Sequence, residues 1–115
     1  MLKSIQDRIS AISVPIRKIT AEEAAQESEK NQGLIIDVRE PAEVEQSPTP
    51  GTINIPRGVL EMQILEKEKD ASRPIYVHCA SGVRAQLAAE QLSLMGYENV
   101  TVLTCEIPKI QKALS

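Results

Sequence analysis

The chain has 115 residues, 42% of them hydrophobic, with a net charge of -3 and a pI near 5.2. That supplies one packed core and is too apolar for a disordered chain. The negative balance excludes bulk attraction to DNA, RNA or anionic lipid, and two tyrosines as the only aromatics leave no stacking platform for single strands.

Residues 1–13, MLKSIQDRISAIS, read as an extra N-terminal helix or a tail, ahead of a domain over 14–115. They lack the apolar centre of a secretory signal, and no run approaches the roughly 18 residues of a membrane helix. The expected location is therefore the cytoplasm, with no membrane and no nucleic-acid partner. IRKI (16–19) is a short strand. Thr20 and Glu23 then form a capping-box pattern, opening a helix that runs to about Lys30 and ends at Gly33.

LIIDV (34–38) is a continuous apolar run ending at Asp37, the pattern of a parallel strand buried on both faces. EPAEVEQ is a short helix with Pro41 in its first turn. SPTPG (47–51) is a turn and TINIP (52–56) a strand stopped by Pro56. RGVLEMQILEKEKD is an amphipathic helix with Val59, Leu60, Met62, Ile64 and Leu65 on a broad apolar side, ending in a solvated EKEKD run.

PIYVHC (74–79) is the fourth strand. Alternation puts Ile75, Val77 and Cys79 on one face and Tyr76 and His78 on the other. A helix over 83–95 follows, with Ala85, Ala88, Ala89, Leu92 and Met95 at helical spacing and Gly96 at its end. VTVLT (100–104) is the last strand and IPKIQKAL (107–114) the closing helix. Strands alternating with helices predict an α/β fold: an open, mostly parallel five-stranded sheet with helices on both faces.

Sites in such sheets lie at the carboxyl ends of strands. Cys79 ends a strand and Arg84 opens the next helix. Cys79 and Cys105 form no CxxC pair, and with one histidine they are too few to ligate zinc, so no metal is expected. A disulfide is disfavoured in a reducing cytosol, which leaves thiol chemistry or plain burial. The loop Ala80, Ser81, Gly82, Val83, Arg84 has the parts of an anion cradle. Helix N-terminal N–H groups, a Gly82 turn, a Ser81 hydroxyl and the Arg84 guanidinium would all favour a thiolate or an oxyanion. That chemistry requires the sulfur to be reachable from solvent and the amides of 80–84 to be aimed at it.

CASGVR resembles the C-x-x-G-x-R active-site loop of single-domain rhodaneses. LIIDVREPAEV resembles their D-V-R-E-x-x-E segment, PGTINIP their G-A-x-N-I-P, and MGYENVTVL the run into their final strand. The likeness extends in order from Ile16 to Leu114. It implies the rhodanese-like fold and a sulfurtransferase of the thiosulfate type. Cys79 would attack a small anionic sulfur donor such as thiosulfate, release sulfite and hold the sulfur as a persulfide. Cyanide or a thiol, including a protein thiol, would then accept it, with no metal or organic cofactor. The chain departs from the family at SPT (47–49), where G-H-I is common. It departs again after the last strand, where Cys105-Glu106 replaces a Gly-Gly and Ile110 stands at a Trp position.

Asp37 and Arg39 read as a structural ion pair or as secondary site residues. Arg57 reads as a surface arginine or as part of the positive field. His78 should face away from Cys79 as a hydrogen-bonded structural residue. Cys105 is a candidate resolving thiol, if its strand pairs with that of Cys79. Two further readings stay open. One is a Cys-Arg phosphatase, although such loops place five residues between Cys and Arg and this one places four. The other is a non-catalytic binding or regulatory module on the same fold.

Overall fold

In the structure, a computed structural model describing residues 1–115, the five apolar runs form one sheet. Its strands are β1 (Arg17–Ile19), β2 (Leu34–Asp37), β3 (Ile53–Asn54), β4 (Ile75–His78) and β5 (Val100–Leu103). All pairings are parallel, in the order β1-β5-β4-β2-β3. The helices are α1 (Ile5–Ser10), α2 (Ala21–Asn31), α3 (Pro41–Gln46), α4 (Leu60–Lys67), α5 (Val83–Leu94) and α6 (Ile107–Leu114), with a 3-10 turn at Arg57–Val59.

The order explains where a site forms. After β2 the chain turns towards β3; after β4 it turns the opposite way, towards β5. The carboxyl ends of β2 and β4 therefore flank a crevice between diverging connections. Register sets Asp37 beside His78 there, and Cys79 is the next residue.

Alternation sorts the core onto two faces. Ile36, Val38, Ile75, Val77, Cys79 and Val102 pack with Leu60 and Ile64 of α4 and Ala85, Ala88, Ala89 and Leu92 of α5. The alanines of α5 let that helix approach the sheet closely. Ile19, Ile35, Tyr76 and Leu103 pack on the other face with Ala21 and Ala24 of α2 and Ile107 and Ile110 of α6. Helices thus cover both faces, as the alternating pattern predicts.

Several local expectations need correction. TINIP pairs only over Ile53–Asn54, because this edge strand is cut short by Pro56 and the 3-10 turn. The apolar side of α4 is narrower than predicted: Leu60 and Ile64 are buried, whereas Met62 and Leu65 face out. The left-handed residue ending α2 is Gln32, with φ 58°, and not Gly33. Gly33 is needed for a different reason, since a Cβ there would lie 2.6 Å from the Tyr76 ring. Residues 5–10 form α1, capped by Ser4 and Asp7 and tied to α5 by the Arg8–Glu90 ion pair.

Candidate active site

A central strand that stops at His78 hands the chain to a loop whose shape depends on Gly82. That residue has φ +86°, the left-handed region a side chain would strain, and it precedes the first residue of α5. The turn folds the start of α5 back over Cys79. The Gly82 N–H donates to Cys79 Sγ at 3.0 Å and the Ala85 N–H at 3.3 Å. The N–H groups of Ala80, Ser81, Val83 and Arg84 find no protein acceptor. Two amides therefore hold the sulfur, and four more are free at a helix start, where partial positive charge accumulates.

Cys79 itself is only 1% exposed and belongs to the core cluster between the sheet and α5. Of the two conditions set by the sequence, the open sulfur is absent, and of the amides of 80–84 only that of Gly82 is on Sγ, joined by Ala85 from just beyond them. Ala80 and Ser81, the next two residues in the chain, are exposed. Beside them runs a groove of about 590 Å³, lined in part by Ile9, Ile12, Ile16, Lys18, Ser81 and Val83. The N-terminal segment thus builds one wall of the space outside the loop.

Arg84 behaves differently from the expectation of a cation free to serve the cradle. Its Nη1 and Nη2 donate to Glu43 Oε1 and Oε2 at 2.6 and 3.0 Å. Glu43 lies on α3, beyond the end of β2, so the crevice brings together residues 41 positions apart. The same Oε1 accepts the Glu40 N–H at 3.0 Å. The Arg84 guanidinium, and then that backbone bond, hold the Glu43 carboxyl down to about 2. Arg84 is raised in turn, chiefly by its bond to Glu43, with smaller contributions from Cys79 and Glu40.

Asp37 and Arg39 form a buried pair, 0% and 3% exposed, on the β2 side of the crevice. Arg39 Nη2 donates to Asp37 Oδ2 at 2.8 Å and to the Ser47 carbonyl at 2.7 Å; its N–H and Nε also bond the carboxylate. Asn54 Nδ2 donates to the Asp37 and Arg39 carbonyls, both at 2.9 Å. These bonds fix the end of β2 and the 47–49 turn, the structural one of the two roles considered. Arg57 is engaged by Glu61, one helical turn on, at 2.9 Å.

His78 faces away from the Cys79 side, buried with Tyr76's face of the strand. Its Nε2 lies 3.4 Å from Thr49 Oγ1, but its Nδ1 is buried without a partner, so it is only half satisfied. Burial lowers its pKa to about 4, against a weaker raising effect of Asp37. The unfolded chain then binds more protons between about 4 and 6.5, so stability is held above 6.5 and lost as pH falls through that window. We expect urea denaturation to show a loss of about 2 kcal/mol from pH 7 to pH 5, removed by His78→Gln. Glu27 and Glu43, both at about 2, lose their stabilising ionisation only below about 4.5 and do not contribute there.

Cys105 is separated from Cys79. Their strands are neighbours, as predicted, but Cys105 packs with the α2–α6 cluster and accepts the Ala21 N–H at 3.3 Å. Cys79 lies in the cluster on the opposite face, and both thiols are free. The sheet stands between them, which removes the geometry a resolving thiol needs. Sequence reasoning missed two participants, Glu43 and Thr49. Glu43 was within reach, as the last acid of the D-V-R-E-x-x-E-like segment. The 47–49 departure is tied to α6, where Gln111, next to Ile110, donates to the Pro48 carbonyl at 2.9 Å.

Comparison with known proteins bears on this arrangement. Residues 20–113 match the Rhodanese-like domain family. The chain is 34% identical over 92 residues to YrkF of Bacillus subtilis, covering 79% of this chain and 48% of that protein. It is 36% identical to the mitochondrial thiosulfate sulfurtransferase RDL2 of Saccharomyces cerevisiae, covering 66% of this chain and 58% of that one. The chain thus spans about half to three fifths of these relatives. The crystal structure of RDL2 superposes with a TM-score of 0.67 at 28% identity, over 87% of this chain and 92% of that one.

Proposed function

The chain belongs to the rhodanese-like domain family, and on that premise we propose that it is a sulfurtransferase using Cys79 as nucleophile and sulfur carrier. The Cys79 thiolate attacks the outer sulfur of a donor such as thiosulfate. The donor's S–S bond breaks, sulfite leaves with the electron pair, and a Cys79 persulfide anion remains. An acceptor thiolate, on a small molecule or a protein, or cyanide then attacks the outer sulfur and returns the thiolate. Net charge is conserved in both steps.

The observation that carries this reading is the pair of N–H groups on the sulfur, from Gly82 and Ala85, at a helix start where four further N–H groups have no protein acceptor. Backbone N–H donors stabilise a sulfur anion where its charge develops. Because Cys79 is covered, loading requires residues 80–82 to lift outward. Ala80 and Ser81 are exposed and their amides have no protein acceptor, which favours that movement, while the Gly82 N–H gives up its bond to Sγ. The cytoplasm, which keeps thiols reduced, suits this chemistry.

The test is intact mass after thiosulfate treatment. The protein should gain one sulfur, mapped to Cys79 and removed by cyanide. An unmodified protein that turns over para-nitrophenyl phosphate would replace this reading with the phosphatase one. The covered sulfur favours one other reading, a non-catalytic module, and an unmodified protein inert to both reagents would establish it.

A further inference from the structure

The groove beside the Cys79 loop has the size of a small-molecule site, at about 590 Å³. Ile9, Ile12 and Ile16 of the N-terminal segment and Val83 of α5 give it apolar walls, and Ser81 of the loop lines it too. The Arg8–Glu90 ion pair fastens α1 to α5 and so holds the N-terminal wall in place. That wall lies ahead of residues 20–113, which match the family. No acidic residue lines the groove, although the chain as a whole is negative. Its one cation is Lys18, which is exposed and takes part in no ion pair.

Register relates Lys18 to the sulfur. Lys18 pairs with Val102 and Val102 with Val77, in one row across three adjacent strands. Val77, Val102 and Cys79 share one core cluster, so Lys18 stands on the Cys79 face of the sheet. Two strand spacings across and two residues along put its backbone roughly 12 Å from that of Cys79.

We propose that this groove binds the sulfur acceptor, a small thiol with an apolar body and one terminal carboxylate that Lys18 engages. This rests on the sulfurtransferase reading above. The apolar walls take the aliphatic body out of water, and the unpaired ammonium attracts the anion with no opposing carboxylate in the lining. Thiosulfate is too short to reach from Lys18 to the sulfur, so the groove serves the acceptor. The acceptor thiolate attacks the outer sulfur of the Cys79 persulfide, whose S–S bond breaks. Cys79 leaves as the thiolate with the electron pair, and the acceptor departs as a persulfide anion. Charge is conserved and no oxidant or reductant is consumed.

The test loads Cys79 with sulfur and follows its unloading by intact mass, with 6-mercaptohexanoate and with 6-mercaptohexanol. The two thiols ionise alike, since the charge is remote from sulfur. The carboxylate should be about three- to fivefold faster, the effect of one exposed ion pair. Lys18→Arg should keep that ratio, Lys18→Met should bring it close to one, and Lys18→Glu should invert it. Heptanoate, which carries a methyl in place of the thiol, should slow transfer to 6-mercaptohexanoate and shift the amide signals of Ser81 and Val83. In Lys18→Glu it should do neither.

A ratio of one in the wild type, or an unchanged ratio in Lys18→Glu, would overturn the proposal and leave an acceptor that meets only the loop. Cys79 has loaded in those experiments, so the sulfurtransferase reading stands. Failure of Cys79 to load would remove that reading by itself. Heptanoate then still decides the groove, and unmoved Ser81 and Val83 signals would overturn it.

Discussion

Cys79→Ser is expected to abolish sulfur transfer from every donor, with activity at least about a thousandfold below wild type, while the protein remains folded. Oxygen cannot substitute for sulfur as the carrier, because the proposed intermediate is a persulfide and the hydroxyl is far less nucleophilic. Two N–H groups already converge on the Cys79 side chain. The smaller hydroxyl accepts bonds from the same donors, so the helix start keeps its partners. Its cost is the greater polarity of oxygen in a buried, largely apolar site, about 1 kcal/mol. Cyanide-dependent thiocyanate formation and urea denaturation, measured on one preparation, separate the two effects. Residual transfer within tenfold of wild type would remove Cys79 from the chemistry.

The largest effect on stability is expected at Asp37→Ala, about 3–5 kcal/mol, since it leaves the buried Arg39 guanidinium without its carboxylate. Three bonds from the Arg39 side chain and one from its N–H end on that carboxylate, and Thr49 Oγ1 lies 3.5 Å from it. The loss is a large share of the stability of an ordinary small domain. Asp37→Ala combined with Arg39→Met should recover much of it, because no charge is then stranded. Urea midpoints for the single and double variants test this. A single-variant loss under about 1 kcal/mol would mean that water reaches the guanidinium and that the pair is not the anchor of the β2 end.

The sequence made the sheet legible because its strands are short, apolar and separated by helices with clear starts. The Thr20–Glu23 capping box is present as predicted. The run LIID is buried almost throughout, as a central parallel strand must be. Boundaries failed where tertiary contact decides them. The α4 face narrowed because only Leu60 and Ile64 reach the core, and Gly33 turned out to serve the Tyr76 ring and not the helix end. The candidate loop was visible in CASGVR, including the turn at Gly82, which the structure makes left-handed. The partner of Arg84 was not, because nothing local links residue 43 to residue 84. Nor was the depth of Cys79, which depends on how closely the alanines of α5 approach the sheet.

The separation of the cysteines was present in the sequence and went unread. Cys79 shares the parity of Val77, and Val77 pairs with Val102. Cys105 is three residues past Val102, so regular alternation assigns it to the opposite face. The same parity argument correctly places His78 away from the thiol. It does not reveal that the His78 Nδ1 has no partner, since that follows from what the 47–49 turn offers.

The central claim is that the amides of the 79–85 loop hold a sulfur anion, and a crystal structure of the thiosulfate-treated protein tests it most directly. The account predicts a second sulfur bonded to Cys79 Sγ, within hydrogen-bond distance of N–H groups that have no protein acceptor, with residues 80–82 displaced outward. A bare Cys79 still buried, or an added sulfur turned away from those amides, would contradict it.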